Sequence, residues 1–208
     1  MGWGWSLHIA QKDHEFRVAQ TQLDLHHRIL DQRPGARLFG SSSCHAIYVD
    51  NYCVISGDRE VACNHAAQIR YSLIGARLPV HEIVEGAGEL DFVGLHLDGE
   101  QHEVRMSWRR VWRLRLALDY LIQHRRCSEQ NLEKILGHCT WSALLRRESL
   151  CIFGAVYKFA RLVGERKALL WPSVLRELRQ FSSLIPLLIS QLWIPWSPQV
   201  YVTDASDF

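Results

Sequence analysis

The sequence predicts an α+β fold, in which helices and β-hairpins alternate in the first half and helices dominate the second half. Two hairpin signals and several helical periodicities support this prediction. The chain has 208 residues, of which 48% are hydrophobic and 22% are charged. A chain of this length and composition can bury a core as one large or two small domains, which excludes a disordered tail as the main description.

The first half begins with a predicted helix over 6–31, which Pro34-Gly35 would end. A hairpin is predicted over 44–56, with Asp50-Asn51 at its apex. A second helix is expected from about Arg59 to Ala76, with Ile69 and Leu73 on its apolar face. The apolar face of the first helix is predicted to contain Phe16, Ala19, Leu23, His26 and Leu30.

A strand is predicted near 80–84, followed by a hairpin over 90–106 that turns at Asp98-Gly99. Ser107 then caps a helix from Trp108 to His124. Its inward residues are predicted to be Trp108, Val111, Trp112, Leu118 and Ile122. The remaining predicted elements are a helix from Ser128 to Gly137, one from Thr140 to about Val163, one near Trp171–Ser182 and a strand at 199–204.

Charged residues are segregated along the chain, although the formal net charge is only +2. Residues 50–103 contain ten acids and three Arg, which gives −7. Residues 105–147 contain ten Arg or Lys and three acids, which gives +7. A basic block beside an acidic one suits a protein that binds metal ions through carboxylates and phosphates through Arg. Two oppositely charged solvated faces would produce the same pattern.

The six Cys form no Cys-x-x-Cys pair, which predicts free thiols in a reducing compartment. We therefore expect an intracellular protein, cytoplasmic or nuclear. The most apolar stretch, 184–196, has 13 residues and contains two Pro. A membrane-spanning helix needs about 20 apolar residues, so no membrane partner is expected.

The segment Tyr48-Val49-Asp50-Asn51 resembles the Tyr-x-Asp-Asp box of reverse transcriptases, with an amide in place of the second acid. Other segments resemble parts of a retrotransposon pol polyprotein and occur in the same order. They are the Gly-containing turn Met1-Gly2-Trp3-Gly4-Trp5-Ser6-Leu7, the primer-grip strand Leu90-Asp91-Phe92-Val93-Gly94-Leu95, the thumb segment 132–141 and the first ribonuclease H strand 200–206.

The resemblance implies a partial polymerase palm with the primer-grip hairpin over 1–106 and a helical thumb-like region over 107–165. It further implies a connection over 166–198 and the start of a ribonuclease H-like domain at 199–208. In such a protein the activity is RNA-directed DNA polymerisation by two-metal nucleotidyl transfer, with Mg²⁺ or Mn²⁺ as the cofactor. The implied partners are an RNA/DNA template-primer and, in an intact enzyme only, a deoxynucleotide.

The resemblance also implies roles for individual residues. Asp50, Asn51 and Tyr48 match the catalytic box, and Asp50 is the expected metal ligand. Asp204 matches the first metal-binding acid of ribonuclease H. The residues expected to contact the template-primer are Gly2, Trp3, Ser6, Phe92 and Gly94, together with Arg109, Arg110 and Arg113, which are placed to contact phosphates.

Two features predict that this polypeptide alone does not polymerise. The family's other metal-binding Asp and its fingers precede the Met-Gly-Trp segment, and Asn51 brings no charge to the box. The remaining ribonuclease H acids would lie beyond Phe208, so we do not expect that activity either. The alternative is a non-catalytic nucleic-acid-binding module that uses the basic helices of 107–147. A third possibility is an unrelated α+β protein without a nucleic-acid role.

Overall fold

The computed structural model describes residues 4–21, 27–31, 33, 42–162, 167–195 and 199. It confirms a mixture of helices and small antiparallel sheets, as expected of an α+β protein. The chain divides into two compact units, Met1–Gly94 and Leu95–Phe208. Gly2, Trp3, Asp204 and the predicted strand at 199–204, apart from Gln199, lie outside the described residues.

The first unit is built around one hairpin and two helices. Its elements are α1 (Ser6–Ala19), β1 (Ser43–Tyr48), β2 (Asn51–Ser56), α2 (Arg59–Gly75) and β3 (Glu89–Phe92). β1 and β2 are antiparallel, and their register pairs Ser43 with Ser56 and Tyr48 with Asn51. Asp58 caps α2, since its carboxylate accepts hydrogen bonds from the backbone N–H groups of Glu60 and Val61.

The core of this unit is small. Val18 of α1 and Ile69 of α2 form a buried cluster, and Ile47, Tyr52 and Leu73 pack against it. Cys44 and Cys53 of the hairpin are also buried. The predicted apolar face of α2 is therefore confirmed at Ile69 and Leu73. Because so little apolar surface is buried here, hydrogen bonds between the elements contribute much of what fixes their positions.

The first helix is shorter than predicted. α1 ends at Ala19, its buried residues are His14 and Val18, and Phe16 is 56% exposed. Arg28 instead forms a parallel bridge with His45 of β1, and the Ile29 N–H donates to the His45 carbonyl oxygen at 2.8 Å. These backbone bonds to β1 require an extended chain, so tertiary pairing overrides the helical periodicity at Leu30.

The prediction of a strand near 80–84 is wrong. Residues 79–85 have no regular secondary structure, and Ile83 and Val84 are exposed. β-branched side chains favour a strand only where a neighbouring strand supplies hydrogen bonds and packing. The structure provides no such partner for these residues within the described part of the chain.

The second unit combines a small sheet with a helical bundle. Its elements are β4 (Leu95–Asp98), β5 (Glu103–Met106), α3 (Trp108–His124), β6 (Arg126–Cys127), α4 (Glu129–Ala143), α5 (Gly154–Leu162), β7 (Ala168–Leu169), α6 (Pro172–Leu184) and β8 (Ile189–Gln191). A 3₁₀ helix, Arg147–Phe153, precedes α5, and another, Ile185–Leu187, follows α6. β5 pairs antiparallel with both β4 and β8, and β6 pairs with β7.

The predicted hairpin is confirmed over 95–106 rather than 90–106. Asp98 is the last residue of β4 and pairs with Glu103, so the turn comprises residues 99–102 instead of Asp98-Gly99. The Asp98 carboxylate accepts hydrogen bonds from the N–H groups of Glu100 and Gln101, which stabilises the bend. The core of the unit is larger than that of the first, and its fully buried residues include Leu118, Leu132, Phe153, Val174 and Phe181.

Two helix boundaries and one helix face differ from the predictions. α4 continues through Gly137 to Ala143. The helix ends there, and a turn at 144–146 precedes a 3₁₀ helix and α5. Gly137 is exposed inside the helix, where glycine is tolerated at a modest cost.

On α3, Trp108 and Trp112 are 50% and 53% exposed, and Leu114 and Leu121 are buried with Val111 and Leu118 instead. Ser107 and Ser128 stand at the N-cap positions without a side-chain capping bond.

Candidate functional site

The hairpin of β1 and β2 presents Asp50 to solvent. Tyr48 pairs with Asn51, so the two turn residues are Val49 and Asp50 rather than the predicted Asp50 and Asn51. Asn51 is the first residue of β2, because it closes the ladder opposite Tyr48. Tyr48, Asp50 and Asn51 are all exposed, and Asn51 Nδ2 donates to Asp50 Oδ1 at 3.2 Å. The three predicted box residues therefore lie together at one end of the hairpin.

The turn has an unusual backbone at Val49, whose φ is 55°. A positive φ at the first central residue is typical of type II′ hairpin turns, where glycine is the usual residue. For a β-branched side chain this conformation is sterically strained. Such a conformation persists only where surrounding contacts hold it, and those contacts come from α1.

Two side chains of α1 hold both backbone groups of Val49. Gln11 Oε1 accepts the Val49 N–H at 2.6 Å, and Nδ1–H of His14 donates to the Val49 carbonyl oxygen at 3.0 Å. Gln11 Nε2 also donates to the Ile47 carbonyl oxygen at 3.4 Å. Gln11 and His14 are not among the site residues predicted from the sequence. The signal available for them was the i, i+3 spacing of two polar residues on the same side of a helix as Val18.

An ion-pair network orients Gln11 in turn. Glu15 Oε1 accepts from Gln11 Nε2 at 2.8 Å and from Arg28 at 2.6 Å, and Lys12 lies 2.9 Å from Glu15 Oε2. Burial alone would raise the pKa of Glu15. The hydrogen bonds from Lys12, Arg28 and Gln11 and the charge of Arg28 outweigh burial and lower this pKa to about 2.

The inner side of the hairpin is polar yet buried. The Tyr52 ring centroid lies 5.9 Å from those of both His14 and His45. Burial raises the pKa of Tyr52, and it raises the pKa of the Cys53 thiol to about 12. A thiol with so high a pKa is not a nucleophile near neutral pH, so we assign no reactive role to Cys53.

The donor set at the turn fits a hard divalent cation only in part. Mg²⁺ prefers oxygen ligands and is commonly held by one or two carboxylates together with substrate phosphates and water. Asp50 supplies one carboxylate and Asn51 one neutral amide oxygen. Within the described residues, Asp50 belongs to no group of three His, Cys, Asp or Glu side chains that share a site. The turn therefore presents one carboxylate and one amide oxygen to solvent.

The primer-grip segment departs from a single strand. β3 ends at Phe92, and the turn residues Val93 and Gly94 have φ values of 50° and 84° before β4 begins at Leu95. Phe92 and Gly94 are half-buried, and Ser6 is the exposed first residue of α1. Gly94 suits its position because glycine adopts a positive φ without steric cost.

The predicted phosphate contacts lie on α3 in the second unit. Arg109, Arg110 and Arg113 are all exposed there. Three arginines stack on tryptophan rings, with guanidinium carbons 5.1–5.3 Å from the ring centroids: Arg105 on Trp108, Arg115 on Trp112 and Arg110 on Trp141. The sequence predicted the basic face but placed two of these tryptophans in the core.

No helix among the described residues is long and apolar enough to cross a membrane. No protein-family model matches the chain, and neither does any curated protein or any solved structure.

Proposed function

We propose that this chain is the palm-to-connection part of a retroelement reverse transcriptase, in which Asp50 is a carboxylate of the nucleotidyl-transfer centre. The observation that carries the proposal is the exposed Asp50 at the turn of a two-stranded hairpin whose backbone is held from α1. The order of the sequence segments supports the same assignment. The proposed partner is an RNA/DNA template-primer.

In this proposal, Asp50 and Asn51 are the residues that would hold a divalent ion. When bound, Mg²⁺ or Mn²⁺ lowers the pKa of the primer hydroxyl and stabilises the leaving pyrophosphate. Asp50 contributes the charge, and Asn51 contributes a neutral oxygen and a hydrogen bond that orients the Asp50 carboxylate. Gln11 and His14 keep the turn from shifting, which matters because small displacements of a catalytic group reduce rates strongly.

The same donor set supports a second part of the proposal, which is that this chain alone does not incorporate deoxynucleotides. A two-metal site needs carboxylates that bridge or flank both ions. Asn51 replaces one such acid, and Asp50 belongs to no group of three or more His, Cys, Asp or Glu ligands among the described residues. We therefore expect metal binding at the turn without polymerisation.

Mn²⁺ titration followed by amide NMR tests the metal site directly. Paramagnetic broadening should be concentrated on the amides of residues 48–52, and Asp50→Asn, which keeps the shape of the side chain, should abolish it. Asp119→Asn, an exposed acid on α3, is the matched control and should leave the broadening unchanged. Equal broadening at residues 48–52 in Asp50→Asn and wild type would overturn the assignment.

Primer extension on an RNA template tests the inactivity. With Mg²⁺ or Mn²⁺ and all four deoxynucleotides, the wild-type chain should give no extended product. Incorporation that depends on the metal and disappears in Asp50→Asn would overturn the proposed inactivity while supporting the metal assignment. The two tests therefore fail independently.

A second candidate function is nucleic-acid binding by α3 without catalysis. The specific observation in its favour is the exposed face of that helix, where Trp108 and Trp112 lie beside arginines. Aromatic rings can stack on bases while guanidinium groups neutralise phosphates. This function needs neither Asp50 nor a metal ion.

A salt titration of RNA–DNA hybrid binding tests the second candidate. The logarithm of the binding constant should fall linearly with the logarithm of salt concentration, and Arg109→Ala should reduce that slope by about 1. Lys158→Ala, an exposed cation on α5, should not change the slope. Asp50→Asn should bind the hybrid as tightly as wild type. Equal losses for Arg109→Ala and Lys158→Ala would contradict a defined α3 surface.

A further inference from the structure

A cavity of about 330 Å³ opens between α3 and α4. Its less exposed apolar lining residues include Leu114 of α3 and Ile135 of α4, which we call the floor. Its exposed lining residues include Arg110, Arg113 and His138, which we call the rim. Trp141 forms one wall. The volume lies near the lower end of the roughly 300–1,000 Å³ typical of small-molecule sites.

The rim of the cavity is cationic. Arg110 and Arg113 both line the cavity, and none of the residues that line it is acidic. The structure records no ion pair for either arginine among the described residues. Two guanidinium groups without a recorded carboxylate partner, one turn apart on one helix, have the chemistry to bind a multiply charged anion, since each can bind phosphate in a bidentate manner.

Arg110 is held in place before any ligand arrives. Its guanidinium carbon lies 5.3 Å from the centroid of the Trp141 ring, which is a cation–π contact. A pre-positioned guanidinium loses less side-chain entropy when it binds an anion. The contact also couples the anion-binding group to the aromatic wall of the cavity.

We propose that this cavity binds a phosphate ester with a flat aromatic body, of the size of a nucleoside 5′-monophosphate. The phosphate sits between Arg110 and Arg113, with His138 beside it. The aromatic body lies on the apolar floor formed by Leu114 and Ile135 and against Trp141. A ligand that carries both groups fits the whole cavity. An inorganic anion would contact only the arginines, and a neutral aromatic ring would contact only the apolar floor and Trp141.

The site does not rest on the proposed function. Asp50 belongs to the other unit, and a mononucleotide needs neither the hairpin nor a metal ion. Arg110 and Arg113 are also among the residues expected to contact phosphates of a nucleic-acid strand. The test therefore uses a free mononucleotide, so its outcome is separable from hybrid binding.

Isothermal titration calorimetry of the full chain at low salt tests the proposal with three ligands. They are adenosine 5′-monophosphate, adenosine and inorganic phosphate. The monophosphate should bind at least tenfold more tightly than either of the other two. Arg110→Ala and Arg113→Ala should each weaken monophosphate binding about tenfold or more, and Arg110→Lys should give an intermediate loss because it keeps the charge but loses the fork geometry.

Arg176→Ala on α6 is the matched control, because it removes the same charge from an exposed helix position outside the cavity. It should leave the affinity unchanged, as should Asp50→Asn. Trp141→Leu should weaken binding of the monophosphate more than binding of inorganic phosphate.

The proposal is overturned if no monophosphate binding is detected, if inorganic phosphate binds equally well, or if Arg176→Ala lowers the affinity as much as Arg110→Ala. Circular dichroism of each variant identifies any that do not fold, and Arg110→Lys then serves in place of Arg110→Ala.

Discussion

Nδ1 of His14 lies 3.0 Å from the carbonyl oxygen of Val49, so a buried residue of α1 holds the turn that carries Asp50. Gln11, one turn earlier on the helix, accepts the N–H of the same residue. Both backbone groups of Val49 are thereby bound to one rigid element. This arrangement explains how a β-branched residue remains at a φ of 55° in the middle of a two-residue turn.

The strained backbone at Val49 predicts that Val49→Gly stabilises the hairpin. Glycine adopts a positive φ without a Cβ clash, so the free energy of unfolding should rise by about 1 kcal/mol. The measurement is the urea midpoint followed by far-UV circular dichroism. Val54→Gly is the matched control. It makes the same substitution inside β2, where it should be destabilising. A loss of stability in Val49→Gly as large as in Val54→Gly would contradict the strain.

The lowered pKa of Glu15 predicts that the free energy of unfolding falls in acid. Its folded-state pKa is about 2, below the ordinary 4.5, and its side chain is only 19% exposed. A carboxylate with a lowered pKa stabilises the fold above the unfolded pKa, and this stabilisation is lost as the pH falls from about 5 towards 2. The loss should be on the order of 3 kcal/mol for wild type.

Urea unfolding at a series of pH values between 6 and 2 measures this effect. Glu15→Gln should be less stable than wild type at pH 6, and the difference should shrink as the pH falls. Asp13→Asn is the control, because its ion pair with Arg17 is partly exposed, spans 3.5 Å and contributes little. A constant difference between Glu15→Gln and wild type across the series would argue against the pKa shift.

Local sequence signals predicted the elements whose structure is decided locally. The hairpin turn after Asp98 and the helix beginning after Ser107 depend on nearby residues, and both were found. The end of α1 was missed, because the bridge between Arg28 and His45 joins residues far apart in sequence. Trp108 and Trp112 were misplaced for a related reason. Periodicity identifies an apolar stripe, but the packing partners decide which side of a wide stripe is buried.

The candidate site was predictable in its exposed part only. Asp50, Asn51 and Tyr48 come together because a two-residue turn fixes the register of neighbouring strand residues. Gln11 and His14 act across the fold, and a helix face gives no indication of which hairpin it will contact. The same limit applies to Arg110 and Trp141, whose contact depends on how α3 and α4 pack.

The contacts of Glu177 in α6 predict that replacing this one residue strongly destabilises the fold. Its two carboxylate oxygens accept the N–H groups of Ala155 and Val156, each at 2.8 Å, and so cap the beginning of α5 from another helix. Glu177→Ala leaves both donors without this partner and removes a charge that complements the helix dipole. We expect a loss of about 2 kcal/mol in the free energy of unfolding.

Hydrogen exchange locates this effect. The amides of Ala155 and Val156 should exchange faster in Glu177→Ala than in wild type, whereas the amides of α3 change less. Glu133→Ala, an exposed acid on α4, controls for the loss of a carboxylate and should cost only a few tenths of a kcal/mol. Unchanged protection of Ala155 and Val156 would show that the cap does not stabilise α5.

Replacing the amide of Asn51 with a carboxylate should strengthen Mn²⁺ binding at the turn. Asn51→Asp places a second carboxylate beside Asp50 at the exposed end of the hairpin, and hard divalent ions gain affinity with each added charge. Mn²⁺ affinity, measured by electron paramagnetic resonance, should rise about tenfold, which corresponds to about 1.4 kcal/mol. Without the ion, repulsion between the two carboxylates should lower the urea midpoint slightly. Asn64→Asp on α2 makes the same change of charge at another exposed position and should leave the affinity as in wild type. An equal rise in both variants would mean that net charge, rather than the geometry of the turn, governs Mn²⁺ binding.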